Sequence, residues 1–171
     1  PISDLPPITR ALYGYFGFEL AGLFTARLSR VLPPSEVECT LVLPGTTLVF
    51  DHLYNRLCQL SLHEHRPLTT THTGILHGEG PDLSALPVAS RPGEEGYKAW
   101  VCDIKERLRA GEAIQVVPSV RFSCACADDP FFLYRRMRRL NASPYMFYMH
   151  LPQISLFGSS PEVMVSAAHG S

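Results

Sequence analysis

A chain of 171 residues with a formal net charge of −1 is long enough for one domain and has no charge excess with which to hold nucleic acid or an anionic membrane surface. Apolar residues make up 46% and charged residues 18%, below the roughly 25% charged share usual for soluble domains, as expected of a surface partly covered by other protein. No run approaches the roughly 20 apolar residues of a membrane span, and PISDLPPITR lacks the basic-then-apolar plan of a signal peptide, so a cytoplasmic setting is expected.

Arg10–Phe18, RALYGYFGF, alternates apolar and small residues and predicts a strand. Gly14 and Gly17 are spaced where it must pass close to other backbone. Glu19–Arg30 follows as a helix with Leu20, Leu23, Phe24 and Leu28 on one face, closed by Pro33-Pro34. Thr40–Leu43 and Thr46–Phe50 read as short strands around Pro44-Gly45, and Arg56–Leu62 as another, with Asp51–Asn55 as the turn of an antiparallel meander.

From His63 to Glu95 periodicity vanishes and Pro, Gly, Thr and His accumulate, which predicts an internal loop or linker over 63–95. His63, His65, His72 and His77 lie in it, but their spacing matches no regular ligand pair, so they read as solvated loop histidines. Cys39, Cys58, Cys102, Cys124 and Cys126 form an odd set without a CxxC pair. They are expected to be buried free thiols.

Glu94–Ala110 is the clearest helix. Tyr97, Val101, Ile104 and Leu108 share one face, Glu94 and Glu95 open it, Lys105, Arg107 and Arg109 close it, and Gly111 supplies a left-handed exit. Ala113–Phe122 predicts a strand, in which Pro118 implies an edge or a bulge. Asp129-Pro130 forms an N-cap and first-turn pair for a helix over Phe131–Leu140, with Leu133, Met137 and Leu140 as its apolar face. Arg135, Arg138 and Arg139 lie opposite, as a solvated or subunit-facing surface. Asn141 ends that helix, Tyr145–Leu151 and Gln153–Ser159 read as an antiparallel pair, and Val163–Val165 is a last apolar stretch. Antiparallel pairs with a few helices define an α+β class.

Read in order, YGYFGFEL, VFDHL, IKERLRAGEAIQVVPSVRF, PFFLYRRMRRLNASPYMFY and FGSSPEVMV resemble the chorismate-utilising enzymes, and among them the large subunit of anthranilate synthase. The resemblance runs from about Arg10 to Val165. It implies that residues 1–171 are a single, partial chorismate-binding domain, part of a two-sheet antiparallel β-sandwich with outer helices. It also implies the reaction: chorismate and ammonia, the latter released from glutamine by a partner amidotransferase subunit, give anthranilate and pyruvate with Mg2+ present. Such lyase chemistry belongs to tryptophan biosynthesis.

The resemblance implies two catalytic residues. Glu162 matches the SPE glutamate that protonates the departing C4 hydroxyl of chorismate, and a carboxylic acid can supply the proton that a poor leaving group needs. Gln115 stands where water-using relatives carry a lysine base; a carboxamide cannot deprotonate water, so glutamine favours ammonia as nucleophile. Asn141, Ser143, Pro144, Tyr145, Met146 and Gly158 match a tryptophan feedback site, whose indole needs apolar walls with a few polar anchors.

Pro118, Val120 and Ala142 depart from the usual pattern, and Ala142 loosens the feedback turn. No leucine-glutamate-serine feedback element precedes these blocks. No PIAGTRPRG-type segment, magnesium-binding glutamates or Gly-Ala-Gly loop follow them. The magnesium ligands are therefore expected outside this segment, and the segment alone is expected not to make anthranilate. Aminodeoxychorismate synthase, which shares fold and substrate, and a non-catalytic remnant that binds tryptophan or the amidotransferase are the alternatives.

Overall fold

Residues 7–32, 39–62, 84, 86–126 and 129–167 are described by a computed structural model. The chain divides into two units, Pro1–Ile75 and Leu76–Ser171, and is α+β, with every paired strand antiparallel.

In the first unit, β1 (Tyr13–Phe16) pairs with β2 (Cys39–Val42), with Gly14 opposite Leu41. The close approach expected at Gly14 is real: a Cβ there would stand 1.8 Å from the Thr40 carbonyl oxygen. The single helix expected over Glu19–Arg30 is instead a 3-10 turn, Phe18–Leu20, and two short helices, α1 (Ala21–Phe24) and α2 (Ala26–Ser29). Thr25 breaks them with an extended backbone, φ −137° and ψ 104°. Its β-branched side chain disfavours helix, and Leu23 and Phe24 are left exposed at 68% and 83%, so no packing pulls the turns into one helix.

β3 (Thr46–Asp51) and β4 (Arg56–Ser61) form a hairpin from Thr46 opposite Ser61 to Asp51 opposite Arg56. Its turn lies where expected: the Asp51 carboxylate accepts from the amides of Leu53 at 3.0 Å and Tyr54 at 3.1 Å, and Asn55 takes φ 50°. The antiparallel pair expected around that turn forms, and β2 pairs with β1 rather than extending it past β3. Pro44 lacks the N–H that would carry a ladder onward.

In the second unit, β5 (Ala89–Arg91) lies inside the stretch expected to be loop and pairs with β6 (Arg121–Ser123). The remainder of that expected loop over 63–83, with its four histidines, lies outside the described residues. The strand expected over Ala113–Phe122 is confined to its C-terminal end; Pro118 removes a donor, and three-residue β5 offers no partner further upstream.

Helix α3 (Glu94–Arg109) forms as its periodicity dictates, with Tyr97, Val101, Ile104 and Leu108 half-buried along one side. Its exit is a Schellman turn: Gly111 at φ 75° donates to the Leu108 carbonyl at 3.1 Å, and Glu112 donates to Arg107 at 3.0 Å. Lys98 lies 2.7 Å from Glu94 and 3.0 Å from Glu95, hydrogen bonds that raise its pKa.

Helix α4 (Pro130–Leu140) begins as expected, the Asp129 carboxylate accepting from the Phe131 amide at 2.9 Å with Pro130 in the first turn. It packs on the hairpin of β7 (Tyr145–His150) and β8 (Ser155–Ser160). The packed side extends beyond the expected one, on which Leu133 and Met137 are half-buried. Phe131 and Tyr134 meet Tyr148 and Phe157, with centroid separations of 5.1 Å for Phe131 and Tyr148 and 5.5 Å for Tyr134 and Tyr148, while Leu140 is 86% exposed. Rings remove more apolar area than leucine, and tilted or edge contacts add about 0.5–1.5 kcal/mol per pair. The Arg138 guanidinium covers the Tyr134 ring at 5.8 Å rather than standing wholly opposite.

Among the described residues no hydrophobic side chain is fully buried. All five cysteines are free, as expected, but exposed rather than buried, since the described residues enclose no core that could take them.

Candidate functional site

The second unit holds every candidate residue, and the β7–β8 hairpin arranges most of them. Antiparallel register places Tyr145 opposite Ser160, Met146 opposite Ser159 and Phe147 opposite Gly158. The start of β7 and the end of β8 therefore share one end of the hairpin. The turn Asn141–Pro144 enters there, and Pro161-Glu162 leaves there.

Alternation along a strand sends successive side chains to opposite faces. Tyr148 and Phe157 touch α4, so Met146 and Ser159, in phase with them, share that face. Tyr145, Phe147 and Gly158 take the other. The six candidate effector residues thus divide between two faces: Tyr145, half exposed at 49%, with Gly158 on one, and Met146 with Ser143 on the other.

Gly158 leaves room for the Phe147 ring. A Cβ on it would come within 2.6 Å of two ring carbons, so the ring lies over the glycine and forms one wall of the outer face. Pro144 and Asn141 are exposed, and Asn141 closes α4 with its amide donating to the Met137 carbonyl at 2.8 Å.

Ser159, absent from the sequence-based candidates, joins the turn to β8. Its Oγ lies 2.7 Å from the Asn141 carbonyl and 2.7 Å from the Ser143 hydroxyl. Ser159 is the donor on both sides, its single hydroxyl proton shared between the Asn141 carbonyl and the Ser143 oxygen. Ser160, also absent from the candidates, donates its hydroxyl to the Glu162 carbonyl at 2.8 Å, with the Glu162 amide 3.4 Å from the same oxygen. The only sequence signal for either was the doubled serine of FGSSPE; the partners come from register.

The Glu162 side chain is exposed. Gln115 is exposed on the irregular stretch before β6, and among the described residues no hydrogen bond joins it to Glu162 or to the 141–146 turn. Among the described residues no three His, Cys, Asp or Glu side chains gather as a metal site. The resemblance places the magnesium ligands outside this segment, and the described residues offer no such cluster. No described helix is long and apolar enough to cross a membrane.

The family model described as chorismate binding enzyme matches residues 2–171, and the chain belongs to that family. Similar curated proteins include the probable anthranilate synthase component 1 of Schizosaccharomyces pombe, 30% identical over 99% of this chain and 39% of the relative. The anthranilate synthase component 1 of Neisseria gonorrhoeae is 34% identical over 96% of this chain and 38% of its own length. That of Saccharomyces cerevisiae is 28% identical over 95% of this chain and 37% of its own. The chain spans about two-fifths of the length of these relatives. No solved structure gives a significant match.

Proposed function

We propose that this chain is a segment of an anthranilate synthase large subunit, a lyase that converts chorismate and ammonia to anthranilate and pyruvate in tryptophan biosynthesis. The observation that carries the reading is the register of β7–β8, which brings the NASPY turn and the SPE glutamate to one end of a single hairpin in a chain of the chorismate binding enzyme family. An effector segment and a proton donor at one end of one element suit a feedback-regulated enzyme.

In this reading Glu162 delivers a proton to the departing C4 hydroxyl of chorismate, a contribution of about 10²- to 10⁴-fold for a positioned acid. Gln115 cannot act as a base; its carboxamide accepts from or donates to the incoming ammonia, and water gains no activation there. Asn141, Ser143, Pro144, Tyr145, Met146 and Gly158 are the tryptophan-site residues of this reading; Tyr145 and Gly158 offer the ring wall on the outer face, and Met146 and Ser143, on the α4 face, support the turn from behind. Magnesium belongs to this chemistry, with its ligands outside this segment.

Residues 1–171 form in this reading one partial chorismate-binding domain, cytoplasmic, and part of a two-sheet sandwich. An amidotransferase subunit supplies ammonia. The exposed apolar side chains in both units support the further reading that the segment alone does not turn over chorismate. The test is anthranilate fluorescence from the longest polypeptide of the same reading frame, given chorismate, ammonium and Mg2+. Anthranilate release supports the reading, and release of an aminodeoxychorismate product instead replaces it with the sister activity.

A further inference from the structure

Two consecutive serines at the end of β8 are each committed to a different neighbour. Ser159, on the α4 face, takes the Asn141 carbonyl and the Ser143 hydroxyl at 2.7 Å each. Ser160, on the opposite face, closes a local turn on Glu162 through the 2.8 Å bond to its carbonyl. Pro161 between them fixes its own φ near −65°. One end of the Ser159–Glu162 backbone is tied to the turn that follows α4, and the other is closed by the Ser160 hydroxyl on the Glu162 carbonyl and amide, which holds the glutamate's backbone.

We infer that Ser159 is a positioning residue that couples the 141–146 turn to Glu162. The inference rests on the proposed roles of that turn as effector segment and of Glu162 as proton donor, and it adds the physical link between them. A ligand that reshapes Asn141–Met146 changes the geometry of the Asn141 carbonyl and the Ser143 hydroxyl. Both act on one oxygen, Ser159 Oγ. A shift of Ser159 is passed along three residues of constrained backbone to Glu162, and no larger movement of the chain is needed. The ligand is the one proposed for that turn, tryptophan, which would meet the Tyr145 and Phe147 rings beside Gly158 on the outer face of the hairpin.

The test uses amide NMR of the 171-residue chain and needs no turnover. Ser143→Ala, nineteen positions before Glu162 in sequence, is expected to shift the Glu162 amide resonance. In a Ser159→Ala background the same replacement is expected to leave that resonance unmoved, and in Ser159→Thr, which keeps the hydroxyl, the shift is expected to return. Equal shifts in all three backgrounds overturn the coupling, because the effect then travels by another route.

A second arm adds tryptophan. Shifts at Tyr145 and Met146 in every variant, with the Glu162 shift lost only in Ser159→Ala, support the inference. Shifts at Tyr145 and Met146 with an unchanged Glu162 response in Ser159→Ala overturn it. Absence of any tryptophan shift at Tyr145 and Met146 overturns the effector reading on its own, and the ligand-free comparison still decides the coupling. A purely structural role for Ser159 moves neighbouring resonances but does not make the effect of Ser143→Ala depend on it.

Discussion

Replacing Gly14 by alanine is expected to separate β1 from β2. The added Cβ would lie 1.8 Å from the Thr40 carbonyl oxygen, 2.8 Å from its carbon and 2.9 Å from the Leu41 Cα. These are backbone atoms of the paired strand, so no side chain can swing aside. To restore an ordinary contact of 3.4 Å the strands must retreat by about 1.6 Å, which takes a cross-strand N–H···O bond beyond hydrogen-bonding range. About two such bonds flank the site, each worth about 0.5–1.5 kcal/mol net, and alanine returns about 0.5–1 kcal/mol through a stiffer unfolded chain. The expected net loss is about 1–2 kcal/mol, or roughly 5- to 30-fold in the opening equilibrium of the pair. Amide hydrogen exchange at Tyr13, Tyr15, Thr40 and Val42 reads it directly. Gly45→Ala is the control, because nothing lies within 4 Å of a Cβ at Gly45. Protection in Gly14→Ala equal to that of the parent chain would refute the reasoning.

Gly158→Ala makes the contrasting case. Its Cβ would meet only the Phe147 ring, which is 45% exposed and can swing away, so stability by denaturant titration should change by less than about 1 kcal/mol while calorimetric tryptophan heat is lost with the displaced wall. Asp129→Ala removes the acceptor held 2.9 Å from the Phe131 amide and should lower the stability of α4 by about 1 kcal/mol, seen as weaker exchange protection over its first two turns. For Lys98, hydrogen bonds donated to Glu94 and then Glu95 raise the folded-state pKa above the ordinary 10.5. Its support for α3 is therefore complete below that value and is lost as pH rises through the raised one. Lys98→Met should abolish this alkaline part of the α3 circular-dichroism profile, and salt should weaken it in the parent, since the pair is exposed.

Local chemistry made some elements legible in the sequence. Gly111 announced the exit of α3, Asp129-Pro130 the start of α4, Asp51–Asn55 the hairpin turn and Gly14 a close backbone approach, because each depends on a residue and its immediate neighbours. Partner choice was less legible. Whether β2 would pair with β1 or β3, whether Ala89–Arg91 would find β6, and whether α4 would turn Phe131 and Tyr134 or Leu140 inward depend on surfaces distant in sequence.

The candidate site divides in the same way. Family resemblance led to Asn141–Met146, Gly158 and Glu162, whereas Ser159 and Ser160 emerge only from the register that sets Met146 opposite Ser159 and Tyr145 opposite Ser160. Exposed cysteines have a related cause. Cysteine is expected to be buried because most domains enclose a core, and among the described residues here no hydrophobic side chain is fully enclosed.

The most direct measurement of the central claim is the rate of anthranilate release, by fluorescence, from the longest polypeptide of this reading frame with and without Glu162→Gln, under saturating chorismate, ammonium and Mg2+. Glutamine keeps the shape of the side chain but cannot give up a proton to a leaving hydroxyl, so kcat is expected to fall by about 10²- to 10⁴-fold with little change in KM. A Glu162→Gln enzyme that releases anthranilate at the parent rate would contradict the assignment of Glu162 as the proton donor.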